Sequence, residues 1–213
     1  MAGVKQSKTF VLVIARRYTG QQAGRKRNMP IQQAIHDILE EMHRTLGRVA
    51  PEGLEHLVEA VLAADRIYVA GGGRSGLMAR AFAMRLMHLG RVTYVVGETT
   101  TPAIRAGDLL LSCSASGETQ VTVLVSQVAR QAGARVVAIT ATPDSPMARL
   151  ADETIIIPAP SKRTQPGQGQ SAQYGGSLFE QALLLLLDAI SAEIGRRLGT
   201  PPQELESRHA NLE

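Results

Sequence analysis

"RIYVAGGGRSGLMARAFAMRLMHLG", residues 66–90, changes its period part-way along. Residues 67–71 are a short β-rich run. After the glycines, a helical stretch runs over about residues 76–89. A strand that passes through a glycine turn directly into a helix is the opening half of a βαβ unit. The same alternation continues downstream. Further β-rich runs lie at 92–96, 108–113, 135–140 and 154–159, with helical stretches at about 119–132 and 145–151. Several runs are apolar on both faces, as strands of a sheet covered on both sides must be. The pattern predicts an α/β fold with a doubly wound parallel sheet.

Two amphipathic helices precede this region. In the first, Ile31, Ala34, Ile35, Ile38, Leu39, Met42, Leu46 and Val49 recur at three- and four-residue spacing, and Pro51 suits the first turn of the second. Downstream, "SKRTQPGQGQSAQYGG" (161–176) has the composition of a mobile loop. A long helix is expected from about 178 to 198. A short terminal one comes next, with Thr200 as N-cap and Pro201 and Pro202 in its first turn.

The 213-residue chain is long enough to bury a core unaided. Its one cysteine, Cys113, excludes an intrachain disulfide and fits a reducing, cytoplasmic compartment. No apolar run reaches the roughly eighteen residues of a membrane span. The longest, "ALLLLLDAI" at 182–190, is interrupted by Asp188. The formal charge of +4 points toward nucleic acid until its position is read. Residues 1–28 hold seven of the 23 basic residues and none of the 19 acids, so the remainder carries a formal charge of −3. With 3% aromatic residues, stacking platforms for single strands are also absent. Neither nucleic acid nor membrane is the expected partner. The basic leader is expected to be a disordered, dispensable extension, with Met29 as the natural start of a single domain over 29–213.

In a doubly wound fold, ligands bind at the carboxyl ends of the strands. Two loops of unusual composition stand there. In "GGGRSG" (71–76), Gly71, Gly73 and Gly76 satisfy G-x-G-x-x-G, and Glu98 lies 22 residues further on. That spacing nearly reproduces a dinucleotide fingerprint. However, Glu98 comes after the strand end, and no second domain is left to carry a hydride acceptor. The second loop, "SASGET" (114–119), comes after the third strand and opens a helix. Backbone N–H groups at a helix start favour an anion. Ser114, Ser116 and Thr119 add hydroxyl donors, and Gly117 permits close backbone approach. With no lysine or cluster of acids for a metal beside it, this turn suits a phosphate monoester better than a triphosphate. N-capping by Ser114 or Ser116 is the plainer alternative.

The segments "GGGRSG", "FAMRLMHLG", "VVGETTTP", "SASGET", "GSLFE" and "SRHANLE" occur in one order over about residues 30–213. In this the chain resembles the sugar isomerase (SIS) domain family, and within it the 6-phospho-3-hexuloisomerases. The resemblance implies a five-stranded parallel sheet flanked by helices, assembled as a homotetramer. It implies interconversion of 3-hexulose 6-phosphate and fructose 6-phosphate in the ribulose monophosphate pathway, without metal or organic cofactor. It implies that Gly73, Arg74, Ser75, Thr100, Ser114, Ser116, Gly117 and Thr119 bind the phosphorylated ketohexose. Three features depart from the family pattern. Ala115 stands where glycine is usual between the serines, Ser207 replaces an alanine before Arg208, and 161–176 matches less closely.

Moving a carbonyl to the adjacent carbon requires a base that takes a proton from one carbon and returns it to the next. The resemblance gives that role to Glu180, early in the long helix. Ser177-x-x-Glu180 is equally a capping box, in which the glutamate would only satisfy the helix start. "RHANLE" gives the partner role in acid–base transfer to His209, whose place near the chain end suits a reach into a neighbouring subunit's site. His36, His43, His56 and His88 show no metal-ligand spacing. Cys113 has no base partner and reads as packing. Beyond the leader the only lysine is Lys162, which disfavours a Schiff base. A non-enzymatic sugar-phosphate-binding SIS module, as in a regulator, and an isomerase of another phosphorylated sugar are the competing readings.

Overall fold

The computed structural model describes residues 30–161 and 171–212. The expectations for the basic leader and for Lys162 lie outside the described residues, as does most of the polar stretch after Ser161. Of the first 34 residues only 30–34 are described, and they begin α1 (Pro30–Leu46). Then come α2 (Pro51–Ala63), opened by Pro51 as expected, β1 (Ile67–Gly71), α3 (Gly73–His88) and β2 (Thr93–Val95). The chain continues through β3 (Leu109–Cys113), α4 (Gln120–Gln131), β4 (Arg135–Thr140), α5 (Pro146–Leu150) and β5 (Glu153–Ile156). It ends in α6 (Ser177–Leu198) and α7 (Pro202–Ser207).

All five strands are parallel, in the order β2-β1-β3-β4-β5. Alternate residues face opposite sides, so β1, β3 and β4 each feed two cores. Ile67, Val69, Leu109, Leu111, Val137 and Ile139 join the larger core, which includes Leu57, Phe82, Phe179 and Leu183 from α2, α3 and α6. Tyr68, Ala70, Leu110 and Val136 join a smaller one with Ala129 of α4. This is why the strands read as apolar throughout. β2, an edge strand, is only half-buried and keeps three of its five expected residues.

Strand order reverses at β1, with β2 on one side and β3 to β5 on the other. The crevice at the carboxyl ends of β1 and β3 is therefore the topological switch point, the default ligand site of such sheets. Their register pairs Ile67 with Leu109 and Gly71 with Cys113. The amino ends are joined by buried Asp108, which accepts hydrogen bonds from Arg66 Nε at 2.9 Å and Nη2 at 2.6 Å. The two turns thus leave neighbouring strands at the same level.

β5 ends at Ile156, three residues short of its expected span, and two helix starts also differ from expectation. α3 starts at Gly73 and not at about residue 76, because Gly71 and Gly76 press together and the helix must begin inside the glycine run. α7 starts at Pro202 with Pro201 as its N-cap, so Thr200 does not cap it. Proline fixes the backbone angle that a first helical residue needs, which makes a side-chain cap unnecessary there.

Candidate active site

The first turn is built by close approach. A Cβ on Gly76 would lie 2.5 Å from the Gly71 carbonyl oxygen, and one on Gly71 would lie 2.9 Å from the Gly76 Cα. The glycine spacing therefore serves the packing of strand end against helix. Glu98, the acid of the apparent dinucleotide fingerprint, forms an ion pair with Arg80 at 2.5 Å.

The second turn is stitched from within and from behind. Ser114 Oγ accepts the Gly117 N–H at 3.2 Å and lies 3.1 Å from the Thr119 hydroxyl, and Ser116 Oγ accepts the Glu118 N–H at 3.3 Å. Gly117 has a φ of +62°, and the place of its missing Cβ is filled by the Ser145 hydroxyl. The Gly117 carbonyl accepts the Met147 N–H at 3.0 Å. Gly117 is thus required for the shape of the turn. Thr119 is the N-cap residue of α4, yet no side chain caps that helix. The hydroxyls hold the turn and line its mouth, and the N-capping alternative does not apply.

A Cβ on Gly72 would lie 3.2 Å from Thr119 Cγ2, so the two turns touch. Together with the start of α6 they line a cavity of about 330 Å³. Gly73, Arg74, Ser75, Ser114, Ser116 and Thr119 all reach it, as does Glu180. Arg74 Nε donates to Glu180 Oε2 at 2.7 Å. Glu180 does not form the expected capping box. Ser177 is the first residue of α6, Gly176 is its N-cap, and no side chain caps it. The carboxylate turns to Arg74 and the cavity instead. Cys113 also lines the cavity, where complete burial pushes its thiol up to about 12, so it remains protonated at neutral pH. A cavity of this size, with donors converging from two turns and a carboxylate on its wall, suits a small phosphorylated ligand.

A family model described as the SIS domain matches residues 61–174. The chain belongs to the SIS domain family. The matched residues span both turns of this SIS site. The chain is 47% identical over 176 residues to a 3-hexulose-6-phosphate isomerase of Mycobacterium gastri, covering 83% of this chain and 88% of the relative. It is 38% identical over 179 residues to a 3-hexulose-6-phosphate isomerase of Bacillus subtilis (strain 168), covering 84% and 97%. A crystal structure of a hypothetical protein from Methanococcus jannaschii superimposes with a TM-score of 0.73 at 32% identity, covering 85% of this chain and 99% of that one. That structure is described as inferring a molecular function of 3-hexulose-6-phosphate isomerase.

Three expected residues stand apart from the cavity wall of this SIS domain. Gly117 acts behind it, by shaping the hydroxyl turn. Thr100 is exposed in the loop after β2 and does not line the cavity. His209 lies in a different cavity, of about 450 Å³, formed by α3, α6 and the chain end. Its ring stacks on buried His88 with centroids 4.1 Å apart. His209 Nδ1 donates to the Leu205 carbonyl at 2.9 Å, which leaves Nε2 as the basic nitrogen of the neutral ring. Arg208 donates to the His88 carbonyl at 3.0 Å and pairs with Glu204 at 3.0 Å. A Cβ on Gly90, whose φ is +80°, would meet that guanidinium at 3.1 Å. Arg208 and His209 thus form an anchored segment that presents a histidine. The larger cavity is not the better ligand site, because the hydroxyl turn, the glycine turn and Glu180 all meet at the smaller one.

Sequence reading missed Gly72, Cys113, Ala115 and Gly176 as cavity-lining residues. The Ala115 carbonyl accepts from Ala141 N, Thr140 Oγ1 and Thr142 Oγ1, so its contribution is made by the backbone. A neutral side chain offers no signal of that kind. Ser116 supplies the direct test of the hydroxyl turn. Ser116→Ala is expected to weaken fructose 6-phosphate binding about ten- to hundredfold, the equivalent of one charge-assisted hydrogen bond. Titration of folded variant and parent by calorimetry checks this, and equal affinities would remove Ser116 from phosphate binding.

Proposed function

We propose that the cavity between the two turns binds a phosphorylated ketohexose and isomerises it, interconverting 3-hexulose 6-phosphate and fructose 6-phosphate. The observation that carries this is the meeting of a hydroxyl-lined phosphate turn and the Glu180 carboxylate on one cavity wall. Ser114, Ser116, Thr119 and the backbone N–H groups of their turn hold the phosphate, and Gly73, Arg74 and Ser75 complete the pocket. Glu180 takes the proton from C2 of the 3-ketose and returns it to C3 through an enediol. In the same passage the C2 hydroxyl proton is lost and the C3 oxygen gains one, so the carbonyl moves by one carbon and the formula is unchanged. The paired Arg74 holds the carboxylate in place. His209, supplied by a neighbouring copy, transfers protons between the two oxygens. Thr100 enters the site only if substrate draws its loop inward.

The SIS relatives support this reading, and it places the enzyme after formaldehyde fixation in the ribulose monophosphate pathway. We further propose a homotetramer that works in the cytoplasm. Ile31, Ile35 and Leu39 form an exposed apolar stripe on α1, and Leu77, Met84 and Met87 another on α3, both suited to contacts between copies. Among the described residues no helix is long and apolar enough to cross a membrane.

A coupled assay tests the activity. Ribulose 5-phosphate, formaldehyde and a hexulose-phosphate synthase are supplied, and fructose 6-phosphate is followed; no product would refute the reading. A thermal-shift series tests the ligand. Fructose 6-phosphate at a hundredfold its Kd is expected to stabilise the fold by about 2.7 kcal/mol, while NAD and NADP leave the melting temperature unchanged. Stabilisation by NAD alone would return the glycine turn to a nucleotide.

A further inference from the structure

Glu41 lies towards the C-terminal end of α1 and is only 8% exposed, unusual for a carboxylate. A buried charge must find partners, and among the described residues the hydrogen-bond donors of Glu41 come from one tripeptide 130 residues away. Its Oε1 accepts the Ala172 N–H at 2.7 Å, and its Oε2 accepts the Ser171 hydroxyl at 2.8 Å and Gln173 Nε2 at 3.0 Å. Ser171 Oγ in turn accepts the Gln173 N–H at 3.0 Å, which closes the knot. Burial raises the carboxyl pKa of Glu41. The Ala172 amide, Gln173, Ser171 and the nearby Arg44 outweigh that and hold it below the usual range.

The tripeptide matters because it stands just ahead of the site helix. Tyr174, Gly175 and Gly176 lead directly into α6, where Gly176 lines the cavity and Glu180 sits in the first turn. Helix starts are usually fixed locally by a capping side chain. Here Gly176 has none, and Gly175 is held at a φ of +58°. Buried Leu178 and Phe179 hold one face of the first turn of α6 against the core. Upstream of that turn, residues 171–173 are tied to Glu41 by side-chain and backbone hydrogen bonds.

We propose that Glu41 is a positioning residue for the reaction: by anchoring residues 171–173 it sets the entry to α6, and so the placement of Glu180 and Gly176 at the cavity. This rests on Glu180 being the base. Glu41 does not line the cavity and lies on a helix whose sequence carries no sign of this role.

The test is a cycle of full-length variants, Glu41→Ala, Glu180→Gln and the two combined. It measures kcat, KM and exchange of the substrate's carbon-bound proton with solvent deuterium. Glu41→Ala is expected to lower kcat and exchange about tenfold to a hundredfold, the scale of a small misplacement of a catalytic group. KM should stay close to the parent value, since the phosphate turn is untouched. In the Glu180→Gln background the same change should cause no further loss, because its effect passes through Glu180. Glu41→Gln, which keeps an acceptor for the Ala172 amide, should recover part of the rate. If Glu41→Ala fails to fold, Ser171→Ala removes two bonds of the knot from the less buried side and is judged by the same split. Parent kcat in the folded Glu41 variant, or an equal loss in both backgrounds, overturns the proposal while leaving the base intact. Normal turnover by Glu180→Gln overturns the base assignment and this inference with it.

Discussion

Glu180→Gln is expected to melt within about 8 °C of the parent, to bind fructose 6-phosphate, and to turn over at least about a hundredfold more slowly. The structure makes the expected stability change small for specific reasons. No capping box is present to be lost, since Gly176 is the N-cap and Glu180 faces the cavity. The partner of Glu180, Arg74, keeps 59% of its side chain exposed, and ion pairs of that kind contribute about 0–1 kcal/mol. Losing a negative charge in the first turn of a helix costs a further 0.3–1 kcal/mol or so. The rate is different. An amide cannot accept a carbon-bound proton at neutral pH, and a positioned general base contributes about a hundred- to ten-thousandfold. Exchange of that proton with solvent deuterium should fall in parallel with kcat. A variant that melts much earlier yet turns over normally would make the charge structural and send the search for the base elsewhere.

Removal of residues 207–213 is expected to abolish most activity while the sheet domain stays folded. The tail contributes little to the core: α7 has no buried residue, and its fixed points are Arg208 on the His88 carbonyl and the His209–His88 stack. Within one chain His209 and Glu180 occupy different cavities. Any role for His209 in proton transfer therefore needs a second copy, and complementation can detect that. His209→Ala and Glu180→Gln, each inactive, are mixed under conditions that exchange subunits. If a site takes its glutamate from one copy and its histidine from another, about a quarter of the sites in a random mixture regain both. Recovery near that fraction supports the shared site. Full activity in the truncated chain removes His209 from the mechanism. Two inactive variants that never complement confine both residues to one copy, against the separate cavities they occupy.

The legibility of this chain tracks the range of the interactions involved. The alternation of strand and helix from residue 67 onward was readable because burial on both sheet faces stamps a local apolar run on each strand. β4 matches its expected span residue for residue. The glycine and hydroxyl turns were readable because positive φ and hydrogen bonding to nearby amides restrict residue type at single positions, as at Gly117. Family resemblance names Glu180 as the base, while its local pattern by itself favours a cap. The Arg74 pairing that draws the carboxylate to the cavity joins residues 106 apart in sequence.

By itself, then, the sequence determined the α/β class, the order of strands and helices, the glycine and hydroxyl turns and the family. Each of these is written in residues near one another or in ordered motifs. Tertiary structure alone decided that β1 and β3 are neighbours in register, so that both turns open on one crevice. It also decided that Glu180 faces that crevice while His209 does not, and that Glu41 is committed to residues 171–173. The physical reason is that strand order and side-chain partnering depend on contacts between distant segments. Local periodicity records which face of an element is buried, and is silent about what it is buried against.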